Sequence, residues 1–314
     1  MKRWFAVLLC IAFLLPGAAK AEQRQDVDAQ AAYLIEANTG RVLYAKNENA
    51  RLPMASTTKI MTALLAIESG RLHETVTVPK EAAGTEGSSM YLAEGETLTM
   101  EALLYGLMLP SGNDAAECIA DYCGDGTEQF VRWMNETAAE LGLTLLDLVY
   151  GLMLRSGNDA AVAIACLVDG DTKTFAAHMN ARAKELGLHD THFVTPNGLH
   201  DPDHYTTAKD LALLGAAALE NPVFAEISAT QYRKTEGSTP RTLKNKNRLL
   251  WEYEGGIGVK TGYTKAAGKC LVFAAERGGM KLVGAVLNCP TMWNTAKDLL
   301  DMGFRTYHMQ RFLS

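Results

Sequence analysis

Ser56 and Lys59 stand three residues apart in Ser56-Thr57-Thr58-Lys59, where the sequence turns helical, so one turn brings both side chains to one face. A serine hydroxyl is a poor nucleophile until a base takes its proton, and a lysine at this spacing can reach it. Partial burial and a second cation both help a lysine give up its own proton. Lys260, in Lys260-Thr261-Gly262, is the candidate second cation. Its charge and the Thr261 hydroxyl also suit a terminal carboxylate, and Gly262 would let an extended substrate lie along the strand edge. Between these motifs Ser-Gly-Asn occurs twice, as Ser111-Gly112-Asn113 and Ser156-Gly157-Asn158. Its serine can relay a proton to a leaving amine, and its asparagine can hold a substrate amide. Singly, these motifs also fit helix caps and strand ends. Together, in this order, they point to acyl transfer through a serine, at a peptide-like carbonyl beside a free carboxylate.

These residues need a scaffold. Residues 31–47 alternate apolar and turn residues as a hairpin does. From Ser56 to Gly70, Ile60, Met61, Leu64, Leu65 and Ile67 recur at helical spacing. Residues 74–99 read as short strands and glycine turns, 100–187 as helices, and 206–235 as further helices. Strands are expected at 256–261, 270–275 and 281–287, then a last helix at 294–302. Strands at both ends with helices between predict an α/β (α+β) fold: one sheet built from the two termini, carrying an inserted helical lobe.

The lobe contains a repeat. Residues 98–142 and 143–187 align at an offset of about 45, with roughly half the positions identical. Tyr105-Gly106-Leu107-Met108-Leu109 returns as Tyr150-Gly151-Leu152-Met153-Leu154. There is no third copy, so the pattern reads as a duplicated piece of one domain, and one cleft has room for one Ser-Gly-Asn. After Asn158 the helix is apolar all round, as a central helix should be, whereas the matching helix carries Glu117 and Asp121. That favours Ser156 and Asn158 in the site, with the first copy packed outside. Order of synthesis favours the first copy.

At 314 residues, 48% hydrophobic and a net charge of -6, the chain can bury a real core and suits no nucleic-acid partner. Lys2, Arg3, the apolar residues 4–15 and Ala19-Lys20-Ala21 read as a cleaved signal peptide over residues 1–21. No later run approaches the roughly 20 apolar residues of a membrane span. A domain over 22–307 and a short tail over 308–314, with no C-terminal β domain or anchor, complete the expected layout. The remaining cysteines (Cys118, Cys123, Cys166, Cys270 and Cys289) are odd in number and lack a CxxC pair, which argues against a disulfide framework or zinc site. His189, His192, His200 and His204 cluster with Asp190, Asp201 and Asp203, but Pro202 breaks any helical ligand spacing. Neither a metal nor a cofactor is expected.

The motif set resembles that of the penicillin-recognising serine enzymes. From Tyr33 to Tyr307 the chain is similar to the D-alanyl-D-alanine carboxypeptidases, the low-molecular-mass penicillin-binding proteins of serine peptidase family S11. The likeness is carried by Pro53-Met54-Ala55-Ser56-Thr57-Thr58-Lys59-Ile60-Met61, by Asn197-Gly198-Leu199-His200-Asp201 with His204-Tyr205-Thr206-Thr207-Ala208, and by Asn247-Arg248-Leu249-Leu250 through Lys260-Thr261-Gly262-Tyr263-Thr264. It implies a β-lactamase/transpeptidase-like fold, an antiparallel sheet flanked by helices plus a helical lobe. It further implies an exported enzyme of the periplasm or cell-wall space that acts on peptidoglycan pentapeptides ending in D-Ala-D-Ala and is inhibited by β-lactams. On that template Ser56 forms the acyl-enzyme, and the N–H groups of Ser56 and Tyr263 form the oxyanion hole. Three departures stand out: the duplication, the expected lack of the β-rich second domain and amphipathic anchor that members often carry, and Pro290-Thr291-Met292-Trp293 where some members place a carboxylate-binding arginine. A class A-like β-lactamase would need a water-activating glutamate, for which Glu220 is the nearest candidate. A penicillin-binding protein inactivated by the duplication is the non-catalytic alternative.

Overall fold

The computed structural model describes residues 26–70, 144–234 and 242–307. The leader, the 74–99 segment, the first repeat copy with Ser111 and Asn113, Cys118, Cys123 and the 308–314 tail lie outside the described residues. The two ends of the chain build one antiparallel sheet of β1 (Ala31–Glu36), β2 (Arg41–Lys46), β5 (Gly256–Thr264), β6 (Gly268–Arg277) and β7 (Met280–Leu287), in the order β2-β1-β7-β6-β5. A small β3–β4 hairpin (Tyr232–Lys234 and Thr242–Lys244) stands apart. The first of these strands lies where helix was expected, so the helical reading of 206–235 ran too far.

The period-2 alternation explains how the sheet is covered. Tyr33, Ile35, Val272, Ala274, Val283 and Ala285 face the helical lobe, while Leu34, Leu271, Phe273, Leu282 and Val286 face the other way. On the first face lies α5 (Ala208–Glu220), and on the second α8 (Met292–Thr306), which buries Ala296, Leu299 and Leu300. Each such large apolar side chain contributes about 1.5–3 kcal/mol by leaving water. Gly215 lets α5 sit close: a Cβ there would lie 2.8 Å from Val272 Cγ1.

The lobe places α1 (Lys59–Glu68) among α2 (Leu145–Tyr150), α3 (Asn158–Asp169), α4 (Thr172–Glu185) and α6 (Pro222–Ala229). Thr144, at the junction of the two copies, caps α2 reciprocally with Asp147. After α2 the chain passes through a π-helical turn, Gly151–Arg155, and reaches Ser156. A four-residue helix, α7 (Leu249–Glu252), leads into β5.

Candidate active site

Ser56 lies in a 3-10 turn, Ala55–Thr58, and Lys59 opens α1 behind it. The turn is wound tightly: Thr57 Oγ1 donates to Met54 O at 2.6 Å, and Thr58 Oγ1 to Ala55 O at 2.9 Å. Lys59 is fully buried and Ser56 is half-buried, so the hydroxyl faces the cleft while the amine is enclosed. Lys59 Nζ lies 3.2 Å from Ser56 Oγ and 3.0 Å from Ser156 O, and it also donates to Asn158 Oδ1. The second Ser-Gly-Asn copy therefore stands at Ser56 and Lys59.

Lys260 reaches the same point from β5. Its Nζ donates to Ser156 Oγ at 2.8 Å and to Thr261 O at 3.0 Å. Ser156 thus joins the two lysines, with its carbonyl on one and its hydroxyl on the other. Burial, and then the charge of Lys246, lower the pKa of Lys260 to about 7. At neutral pH it therefore exists in both forms, able to hold a carboxylate or exchange a proton with Ser156.

Backbone conformation frames this contact. Ala55 (φ 48°) and Ser156 (φ 65°) both adopt the left-handed region without being glycine or asparagine. Such residues cost on the order of 1 kcal/mol each and persist where the surroundings over-determine them. Gly262 supplies the close approach from β5, since a Cβ there would lie 3.1 Å from Met54 O, Ser56 N and Thr57 N. The glycine of the third motif therefore lets the strand pack on the nucleophile turn, a role beyond admitting substrate. Tyr263, next on the strand, is exposed.

The residues that brace the turn were not singled out as site residues in the sequence. His204 is buried, and its Nδ1 accepts the backbone N–H of Val194 (2.9 Å) and of Thr195 (3.3 Å). The proton must then sit on Nε2, which donates to Thr58 Oγ1 at 2.7 Å. Burial holds His204 at about pKa 4, so it is neutral. Gly198 presses on the same turn, where a Cβ would meet Ala55 O at 2.0 Å. Asn180 of α4 clamps both the N–H and the C=O of Phe193, at 2.8 and 2.7 Å, and so fixes this bracing segment. The histidine cluster is thus a buttress at His204, and among the described residues no group of three His, Cys, Asp or Glu side chains could hold a metal ion. Glu220, the β-lactamase candidate, is exposed at the end of α5.

Comparison with known proteins gives the family and the fold. The family model for D-alanyl-D-alanine carboxypeptidase, peptidase S11, matches residues 18–145 and 143–291. The Bacillus subtilis D-alanyl-D-alanine carboxypeptidase DacF is 32% identical over 98% of this chain and 72% of its own length. DacB2 of Mycobacterium tuberculosis is 33% identical over 89% of this chain and 83% of its own. Among solved structures, a D-alanyl-D-alanine carboxypeptidase from Mycobacterium tuberculosis superposes with a TM-score of 0.71 at 31% identity, covering 91% of this chain and 95% of that one. Penicillin-binding protein D2 from Listeria monocytogenes, in its ampicillin-bound form, gives 0.67 at 25% identity, covering 89% and 99%. With its nucleophile turn, buried lysine and penicillin-binding fold, the chain belongs to the D-alanyl-D-alanine carboxypeptidase family of S11 serine peptidases.

Proposed function

We propose that the protein removes the terminal D-alanine from peptidoglycan stem peptides through an acyl-enzyme on Ser56, and that β-lactams arrest it there. The observation that carries this is the enclosed Lys59 amine 3.2 Å from Ser56 Oγ, in a chain of the S11 family. Lys59 takes the Ser56 proton as Oγ attacks the carbonyl of the penultimate D-alanine. The N–H groups of Ser56 and Tyr263 receive the developing oxyanion. Lys260 and Thr261 hold the terminal carboxylate, and Ser156 delivers a proton to the departing amine. Water then releases the shortened peptide.

The enzyme works outside the cytoplasm, reached through a leader over residues 1–21. No single described helix is long and apolar enough to cross a membrane. The test is intact-mass spectrometry after benzylpenicillin, with peptide mapping, beside release of D-alanine from a synthetic pentapeptide. One adduct on Ser56 and D-alanine release are expected. An unlabelled chain, or an adduct elsewhere, would refute the proposal. A penicillin adduct shed within seconds would favour a β-lactamase instead.

A further inference from the structure

The cleft does not end at Lys260. Beside it opens a groove of about 530 Å3 whose lining carries four cations, Arg155, Lys244, Lys246 and Arg248, and one carboxylate, Glu252. That carboxylate is already neutralised, at 2.5 Å from Arg248 and 2.7 Å from Lys297, which holds its pKa down to about 2. Among the described residues neither Arg155 nor Lys244 has an ion-pair partner. In a chain of net charge -6 this is a local excess of positive charge.

The groove is built, not a chance gathering of surface lysines. Tyr232 and Trp251 meet edge to face at 6.2 Å, and Lys244 Nζ sits 5.6 and 5.4 Å from their ring centroids. The rings hold this ammonium at the groove wall by cation–π attraction. The groove also shares a wall with the catalytic cleft. Arg155 directly precedes Ser156, and the backbone N–H of Lys246 donates to Leu154 O at 3.2 Å. Lys246 is exposed as a residue, yet its amine end is crowded enough by protein for its pKa to fall, with Arg155 adding to the effect.

A D-alanine leaving group offers a single carboxylate, which Lys260 and Thr261 satisfy. Arg155, Lys244 and Lys246 on the same side, beside the Arg248 held by Glu252, suit a leaving group with a second negative charge. We infer that the groove is a leaving-group subsite for a side-chain carboxylate, so that the enzyme releases acidic D-amino acids as well as D-alanine. This rests on the proposed function and deepens it. The α-carboxylate of the departing residue lies on Lys260 and Thr261, and its side-chain carboxylate enters the groove. The chemistry is unchanged: the peptide bond breaks as the Ser56 ester forms, and the serine proton ends on the departing amine.

The test compares two acyl-peptides that differ only at the last residue, D-Ala-D-Ala and D-Ala-D-Glu, on the wild type and on Lys244→Gln and Lys244→Glu. The ratio of kcat/KM for the acidic over the neutral peptide should fall about five- to tenfold in Lys244→Glu, less in Lys244→Gln, and its salt dependence should flatten. A ratio that moves less than twofold in both variants overturns the subsite while leaving the carboxypeptidase reading intact. Absence of turnover on both peptides in the wild type, with no penicillin adduct on Ser56, removes both. Free succinate is the control. Inhibition that Lys244→Glu relieves, with an unchanged peptide ratio, would make the groove a site for free anions only and also overturn the proposal.

Discussion

Lys260 Nζ donates to Ser156 Oγ across 2.8 Å and 104 residues of sequence. The hydrogen bond ties the strand motif to the second Ser-Gly-Asn, whose carbonyl and asparagine hold the amine of Lys59. Removing the Ser156 hydroxyl takes away the Lys260 contact and the group placed to relay a proton, while the Ser156 carbonyl still holds Lys59.

Ser156→Ala should therefore cut acylation by a fluorescent penicillin by on the order of a hundredfold, and Ser111→Ala should leave the rate within about twofold. Gel fluorescence time courses of the two single variants measure this. A loss only in Ser111→Ala would mean that the first copy supplies the working serine, and equal losses would contradict a site built on Ser156 alone.

Lys260 gives a pH dependence with a defined sign. Its folded pKa, about 7, lies below its unfolded value, so between about 7 and 10.5 the unfolded chain holds more protons. The cost of burying its charge is complete below pH 7 and is relieved as pH rises. Substrate binding runs the other way, because a carboxylate needs the ammonium. The value of kcat/KM on a free-acid peptide should fall above about pH 7, and the same peptide amidated at its C-terminus should turn over at least about tenfold more slowly without that descending limb. A profile for the free acid that stays flat to pH 9 would contradict this role.

Gly262→Ala places a Cβ 3.1 Å from Ser56 N and Thr57 N, too close unless the turn shifts by a few tenths of an ångström. The backbone N–H proposed to meet the oxyanion moves with it. Acylation should slow by about tenfold or more while the circular dichroism spectrum is retained. Wild-type acylation rates in this variant would show that the contact has no part in catalysis.

His204 makes the fold acid-sensitive. Its folded pKa of about 4 lies below the ordinary histidine value of 6.5, so its contribution is complete above pH 6.5 and is lost as pH falls toward 4. The loss amounts to up to about 3 kcal/mol. Protonation would turn Nδ1, which accepts two backbone N–H groups, into a donor facing them. Urea unfolding from pH 7 to 4 should show this slope in the wild type and a flatter one in His204→Gln. Parallel slopes would assign the acid sensitivity to other groups.

Local pattern carried much of the architecture. The apolar runs of β1, β6 and β7 read as strands in the sequence, and the fold buries both their faces because successive side chains point to opposite sides of the sheet. The boundaries were less legible. Residues 232–234 carry too few side chains to declare a strand, and they become one by pairing with 242–244. The role of His204 was illegible for a related reason. Its partner Thr58 lies 146 residues away, and nothing near His204 in sequence announces that contact.

The sequence by itself determined the chemistry available to this protein: a serine and a lysine one helical turn apart, a strand-end Lys-Thr-Gly, and a Ser-Gly-Asn between two helices. These are short-range relationships, set by helix and strand geometry. It left two copies of Ser-Gly-Asn, each between an apolar helix and an Asp-Ala-Ala start, with only the apolar run after Asn158 favouring the second. Which of them meets Lys59 and Lys260 is a matter of long-range packing, and in the tertiary structure Ser156 and Asn158 stand there. The same packing gives Lys260 its lowered pKa, since desolvation depends on what surrounds an amine in space and not on its neighbours along the chain.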